Sequence, residues 1–266
     1  MGESVYISAN LTSDQIRFLK LLDEYEVDIF SMESIESELD DGFKNLNEVL
    51  ENLVDKGFLS RIERGKYCRA TFRDEYVIGT FVVKKGAVAY WSALNLHGLT
   101  ERFPNTVFIQ SPHKKTNKVI FGIPYKFIKI PETKRAGIIS MGYGNHSFEI
   151  TDIEKTIVDC FDRLEYSGGY SELIQAFYAT RLSSEKMIRY CQAINNRAAV
   201  KRMGLLAELF AKRGMKSFVH YVEGRVNEVY NLFDPQAANS GTFDRKWRVR
   251  MNISYQDILD IAGEMY

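Results

Sequence analysis

Residues 43–73 read FKNLNEVLENLVDKGFLSRIERGKYCRATFR, and this stretch decides the fold of the first part of the chain. Phe43, Leu46, Val49, Leu50 and Leu53 recur at three- and four-residue steps, which places them on one face of a helix beginning at Phe43. Gly57, just after Lys56, is positioned to stop that helix. Two short runs follow, Phe58 to Ile62 and Lys66 to Ala70, joined by Glu63-Arg64-Gly65. Gly65 supplies the positive φ that such a hairpin loop requires. A helix leading into a small basic hairpin is the back half of a winged helix-turn-helix, a module that lays a helix in the major groove of DNA.

The residues before it complete that module. Thr12 and Gln15 stand at capping-box spacing and open a first helix whose expected buried face is Ile16, Phe18, Leu19 and Leu22. Ser31 is placed to cap a second helix through Ile35 and Leu39, with Asp40-Asp41-Gly42 as the turn. The expected module spans residues 1–75. Its DNA-binding residues are expected to be Lys44, Asn45 and Asn47, in the first turn of the third helix, with Arg61, Arg64, Lys66 and Arg69 on the hairpin.

Charge bears on this expectation. Residues 1–73 carry 9 Lys+Arg against 15 Asp+Glu, a net of −6, in a chain that is neutral overall at 35 against 35. An acidic balance opposes phosphate binding. The distribution is uneven, however. Acids gather between Asp23 and Asp41, whereas Lys56, Arg61, Arg64, Lys66, Arg69 and Arg73 are opposed only by Glu63 within their own stretch.

After Arg73 the pattern changes. Asp74 to Val83 and Val88 to His97 read as short helices around Lys84-Lys85-Gly86. Five β-type runs follow: Thr106 to Gln110, Lys118 to Gly122, Tyr125 to Ile130, Ile138 to Met141 and Ser147 to Ile150. The short connections favour a mainly antiparallel sheet. From Thr151 the chain reads as helical, with Thr151 and Glu154 as a capping box. Helices are expected at Ser171 to Ala179, Ser184 to Ala193 and Arg197 to Arg213, then a strand at Lys246 to Ile253 and a last helix from Tyr255. The expected class is α+β: a winged helix-turn-helix, then a larger domain over 76–266 with a mainly antiparallel sheet and a helical C-terminal half.

Four segments in order carry a resemblance. AYWSALNLHGLTERFPNTVFIQSP (89–112) looks like the Ser-Ala-Leu…His-Gly-Leu signature of AbiEi-type antitoxins, which belong to type IV toxin–antitoxin (abortive infection) systems. FEITDIEKTIVDCFDRLEYSGGYSELIQAF (148–177) is similar to their next block, a helix leading to Gly-Gly. Arg202-Met203-Gly204-Leu205-Leu206 resembles a third block, and Lys246 to Asn252 the end of the domain. The resemblance implies an N-terminal repressor of the chain's own operon and a C-terminal antitoxin domain over 76–266. It also implies a nucleotidyltransferase toxin as functional partner, without a stable complex. The alternatives are a stand-alone winged-helix regulator and a DNA-processing enzyme with a winged-helix module.

Residue chemistry favours a non-enzymatic reading. His97, His113, His146 and His220 lack metal-ligand spacing, and Cys68, Cys160 and Cys191 form no C-x-x-C. Neither a metal nor a cofactor is expected. Asp159 and Asp162 lie opposite the apolar stripe of their helix, which predicts a solvated face. Ser183-x-x-Lys186 reads as a helix cap, and Gly142-x-Gly144 as a turn. Glu132-x-Lys134 lacks the second carboxylate that a catalytic metal needs. Arg197, Lys201, Arg202, Arg245, Lys246, Arg248 and Arg250 are a candidate second basic surface for DNA or an acidic partner. The first residues, MGESVY, have neither signal-peptide character nor Ser or Thr at position 6, and no run reaches membrane-spanning length, so a cytoplasmic location is expected.

Overall fold

The computed structural model describes residues 10–38 and 43–263. The readings placed on Met1 to Tyr6, on Leu39 and on the Asp40–Gly42 turn lie outside the described residues.

The first part runs α1 (Ser13–Glu24), β1 (Ile29–Ser31), α2 (Met32–Glu38), α3 (Leu46–Asp55), β2 (Leu59–Glu63) and β3 (Lys66–Arg69). The Thr12–Gln15 capping box is formed in both directions. Gln15 also accepts from Lys56 Nζ at 2.8 Å, and this contact turns Gln15 into the core at 3% exposure. The buried face of α1 is therefore Gln15, Phe18 and Leu22, and the expected core residue Ile16 faces outward at 42%. Ser31 caps α2 through Ser34 N. The third helix begins at Leu46 rather than Phe43, because Asn45 takes the cap position. Phe43 packs edge-on against Phe18 from just before the helix. Gly57 ends α3 at φ +76°, and Gly65 turns the hairpin at φ +71°. Strand β1 was not expected from sequence. It is three residues long and pairs antiparallel with β3, giving the order β1-β3-β2.

The second part opens with α4 (Glu75–Phe81), capped by Asp74. There follow β4 (Ala87–Val88), α5 (Tyr90–Leu96), β5 (Val107–Ser111), β6 (Lys118–Ile120), β7 (Ile123–Lys129), β8 (Ile138–Met141) and β9 (Phe148–Thr151). Val88 is thus a strand residue and not the start of a helix. The six strands form one sheet in the order β6-β7-β5-β4-β9-β8. The expected mainly antiparallel sheet is a mixed one: β5 runs parallel to β7 and β4 parallel to β9. After β5 the chain skips one strand position to place β6 at the edge, then returns as β7 between them, so β7 necessarily repeats the direction of β5.

The helical half comprises α6 (Ile153–Asp162), α7 (Tyr170–Ala179), α8 (Ser184–Ala193), α9 (Arg197–Leu209) and α10 (Lys216–Glu223). It closes with β10 (Asn231–Leu232), β11 (Thr242–Asp244), β12 (Val249–Met251) and α11 (Tyr255–Gly263). One face of the large sheet (Phe108, Ile128) packs on these helices through Ile157, Phe161 and Leu173. The other face (Val107, Ile109, Tyr125, Ile150) packs on α4 and on Ile62, Cys68 and Phe72. The small sheet is therefore shared. Leu59, Tyr67 and Phe30 cover α1 and α3, while Ile62 and Cys68 belong to the core of the second part. The expected boundary near residue 75 crosses a continuous apolar cluster. No helix among the described residues is long and apolar enough to cross a membrane.

Candidate nucleic-acid interface

The exposed side of α3 carries Asn47, Glu48 and Asp55. Asn45 is engaged at both ends of its amide: Oδ1 accepts from Glu48 N at 3.3 Å, and Nδ2 donates to Glu48 Oε2 at 2.9 Å. It caps the helix from outside its first turn, and Lys44 likewise precedes the helix. Glu51 is compensated by Tyr67, whose hydroxyl donates at 3.0 Å, and by Arg61 at 3.3 Å. Lys44, Asn47 and Arg64 are exposed and make no ion pair or side-chain hydrogen bond among the described residues. Arg64 stands at the hairpin tip.

Lys66 and Arg69 turn inward, a correction to their expected role, whereas Arg61 stays exposed beside Glu51. Lys66 Nζ donates to the carbonyls of Val82 at 2.8 Å and Phe81 at 3.2 Å, at the C-terminal end of α4, where a cation meets the negative end of the helix dipole. Burial pulls the Lys66 ammonium below its usual range, and Glu63 opposes this. Glu63 itself binds Lys115 at 2.6 Å, Lys118 at 2.9 Å and Lys66 at 3.2 Å. Burial pushes this carboxyl up, but the three lysines outweigh burial and hold it at about 2. Arg69 joins Asp23 and the Val27 carbonyl. Asn145, on the loop before β9, donates to the Glu26 carbonyl and to Asp28. The hairpin is clamped to the second part through Glu63 and Lys66, while Arg61 and the tip residue Arg64 stay exposed.

The candidate second basic surface does not assemble. Lys201 is 1% exposed and donates to Asn227 Oδ1 and to the carbonyls of Val229 and Arg248. Burial, then the neighbouring Arg202 and Arg248, bring its ammonium down to about 8. Arg202 is also buried and donates to the Leu232 carbonyl at 2.9 Å. Lys246 is paired with Glu208 and Glu223. Arg248 lies over Tyr230 and donates to its hydroxyl, and Arg250 lies over Phe243 and donates to Asn239 Oδ1. Among these expected residues, Arg197 and Arg245 remain exposed and unpaired. Long basic stems in this region serve as packing and as donors to loop carbonyls.

Helix α6 holds polar groups that sequence reasoning assigned to solvent. Its cap is Asp152, whose Oδ1 accepts from Lys155 N at 2.8 Å, and not the expected Thr151–Glu154 box. Asp152 Oδ2 also takes the Tyr190 hydroxyl at 2.7 Å and Lys186 at 3.1 Å. Glu154 accepts from Ser183 N at 2.9 Å. Lys155 and Asp159, both near 2% exposure, form an ion pair one turn apart. Burial pushes the Asp159 carboxyl up despite Lys155. Asp162 binds Lys134 at 2.7 Å and Asn196 at 3.1 Å. Every group here is committed to a protein partner except Asp159 Oδ2. The cluster ties α6 to α8, α9 and the 132–134 turn.

The four segments that carry the resemblance meet in two pairs in this half. A Cβ on Gly168 would lie 2.6 Å from the Trp91 ring, and one on Gly204 would lie 2.6 Å from the Trp247 ring. Each glycine admits an indole from another segment.

No family model and no curated protein matches the chain. A similar solved structure is that of the RV2827C protein from Mycobacterium tuberculosis, with a TM-score of 0.68 at 14% identity over 97% of each chain. At that identity the likeness shows a common fold and no more.

Proposed function

We propose that the first part of this chain is a winged helix-turn-helix that binds its own promoter, and that the whole is an antitoxin of the AbiEi type opposing a nucleotidyltransferase toxin. The observation that carries the DNA reading is the element order α1-β1-α2-α3-β2-β3 with β1 paired to β3. In that arrangement α3 takes the recognition position and the β2–β3 hairpin is the wing. Lys44, Asn47 and Arg64 are the groups free to meet DNA, and Arg61 offsets Glu51 behind them. The antitoxin reading rests on the four segments resembling that family, supported by their mutual packing through Trp91 and Trp247.

The test uses the full chain, since the two parts share a core. Binding to a promoter fragment and to random DNA is measured between low and moderate salt. Arg64→Ala should flatten the slope of log K against log salt by about 0.9, one phosphate contact. The same variant should lose repression yet still rescue cells from the neighbouring toxin. Equal affinity for promoter and random DNA would remove the repressor reading. Rescue failure by the wild-type chain leaves a stand-alone regulator. A second reading, a winged helix used for protein contacts, is favoured by the exposed Glu48 and Asp55 on α3. Absence of any DNA binding at low salt would select it.

A further inference from the structure

Between α8, the start of α9 and the end of α10 lies a cavity of about 380 Å³. Its size falls within the range of small-molecule pockets, roughly 300–1,000 Å³. Its lining residues include Arg197 and Arg225, with Gln192, Asn195, Asn196 and Asn227, and no Asp or Glu is among them. In a chain of balanced charge, a cavity with two cations and no anion is a selective feature. Neither arginine has an acidic partner among the described residues.

The walls are held in place. Arg225 stacks on Tyr221 with its guanidinium carbon 3.8 Å from the ring centroid, which fixes the plane of the group. Tyr221 is backed in turn by Phe218. Asn227 Oδ1 accepts from the buried Lys201 at 3.2 Å, so its side-chain Nδ2 remains as a donor. Arg197 opens the first turn of α9, so its own backbone N–H has no intrahelical acceptor.

We infer that this cavity binds a mononucleotide, with the phosphate between Arg197 and Arg225 and the base edge against the carboxamides. Planar guanidinium groups match phosphate oxygens in paired hydrogen bonds. Asn and Gln side chains present the donor–acceptor pair that base edges require. The site is separate from the wing and does not rest on the DNA reading.

Calorimetric titration of the full chain with AMP, GMP, CMP and UMP, with adenosine and with inorganic phosphate tests it. At least one mononucleotide should bind with 1:1 stoichiometry, at least tenfold tighter than adenosine or inorganic phosphate. Arg197→Ala and Arg225→Ala should each weaken it at least tenfold, and Arg64→Ala should leave it unchanged. Thermal unfolding checks each variant. Should loss of Arg225 from Tyr221 unfold the chain, the exposed Arg197 decides alone. Inorganic phosphate binding as tightly as every mononucleotide overturns the inference, as does unaltered binding by Arg197→Ala or the absence of saturable heat.

Discussion

Helices α3 and α6 are each ten residues long, and each shows one apolar stripe with charges on the remaining faces. Their surroundings are opposite. Helix α3 buries Leu46, Val49, Leu50 and Leu53 and leaves Asn47, Glu48 and Asp55 to solvent. Helix α6 buries every residue from Glu154 to Phe161, because α5, α7, α8 and α9 all pack on it. The same kind of pattern thus produces a surface element in one half and a central pillar in the other. Charge on the first is available to a partner molecule. Charge on the second must be neutralised within the protein, and Lys134, Lys155 and Lys186 do so, with Asn196 adding a hydrogen bond to Asp162.

This contrast sets a graded series of outcomes. The largest belongs to α6: Lys155→Ala should leave Asp159 buried without its partner and cost roughly 3–5 kcal/mol in urea unfolding. The double change Lys155→Met with Asp159→Leu should cost much less, since two apolar side chains need no partner. If both variants lose equal stability, the pair is not what makes α6 sensitive.

Next in size is the clamp between the halves. Glu63→Gln should cost about 1.5–3 kcal/mol by weakening hydrogen bonds to three lysines. Because the folded Glu63 carboxyl lies at about 2, below its ordinary 4.5, its contribution is complete above pH 4.5 and lost as pH falls toward 2. Unfolding followed between pH 6 and 2.5 should show the wild type losing more stability than Glu63→Gln. Parallel curves would show the clamp to be unimportant.

Smaller still is Asn45→Ala. Loss of the α3 cap should cost about 0.5–2 kcal/mol. Its effect on DNA binding should follow that stability loss and spare promoter preference, whereas a base-reading residue would change preference at constant stability. Last, Glu48→Gln on the open face of α3 should stay within about 0.5 kcal/mol in thermal or urea unfolding. A large loss there would mean that α3 is covered in the folded protein, and the comparison with α6 would fail.

Much of the fold was legible as local pattern. The capping box at Thr12, the stop at Gly57, the turn at Gly65 and the strand Ile138–Met141 stand where the residues place them. Strand β1 is not legible in the sequence because three residues carry no usable periodicity. For the candidate site, Arg64 and Lys44 were legible as exposed cations. The inward turn of Lys66 was not, since its acceptors on Phe81 and Val82 lie 15 and 16 residues away.

The sequence by itself determined the identity and order of most elements, their stops, and which stripe of each helix is apolar, because caps, turns and periodicity act over three to seven residues. Only the tertiary structure decided which charges are free. Lys201, Arg202, Asp159 and Glu63 look like surface residues along the chain, yet segments distant in sequence pack over each of them or supply its partners. A long charged side chain takes its environment from whatever packs over it, and that is a property of chain topology rather than of its neighbours along the chain.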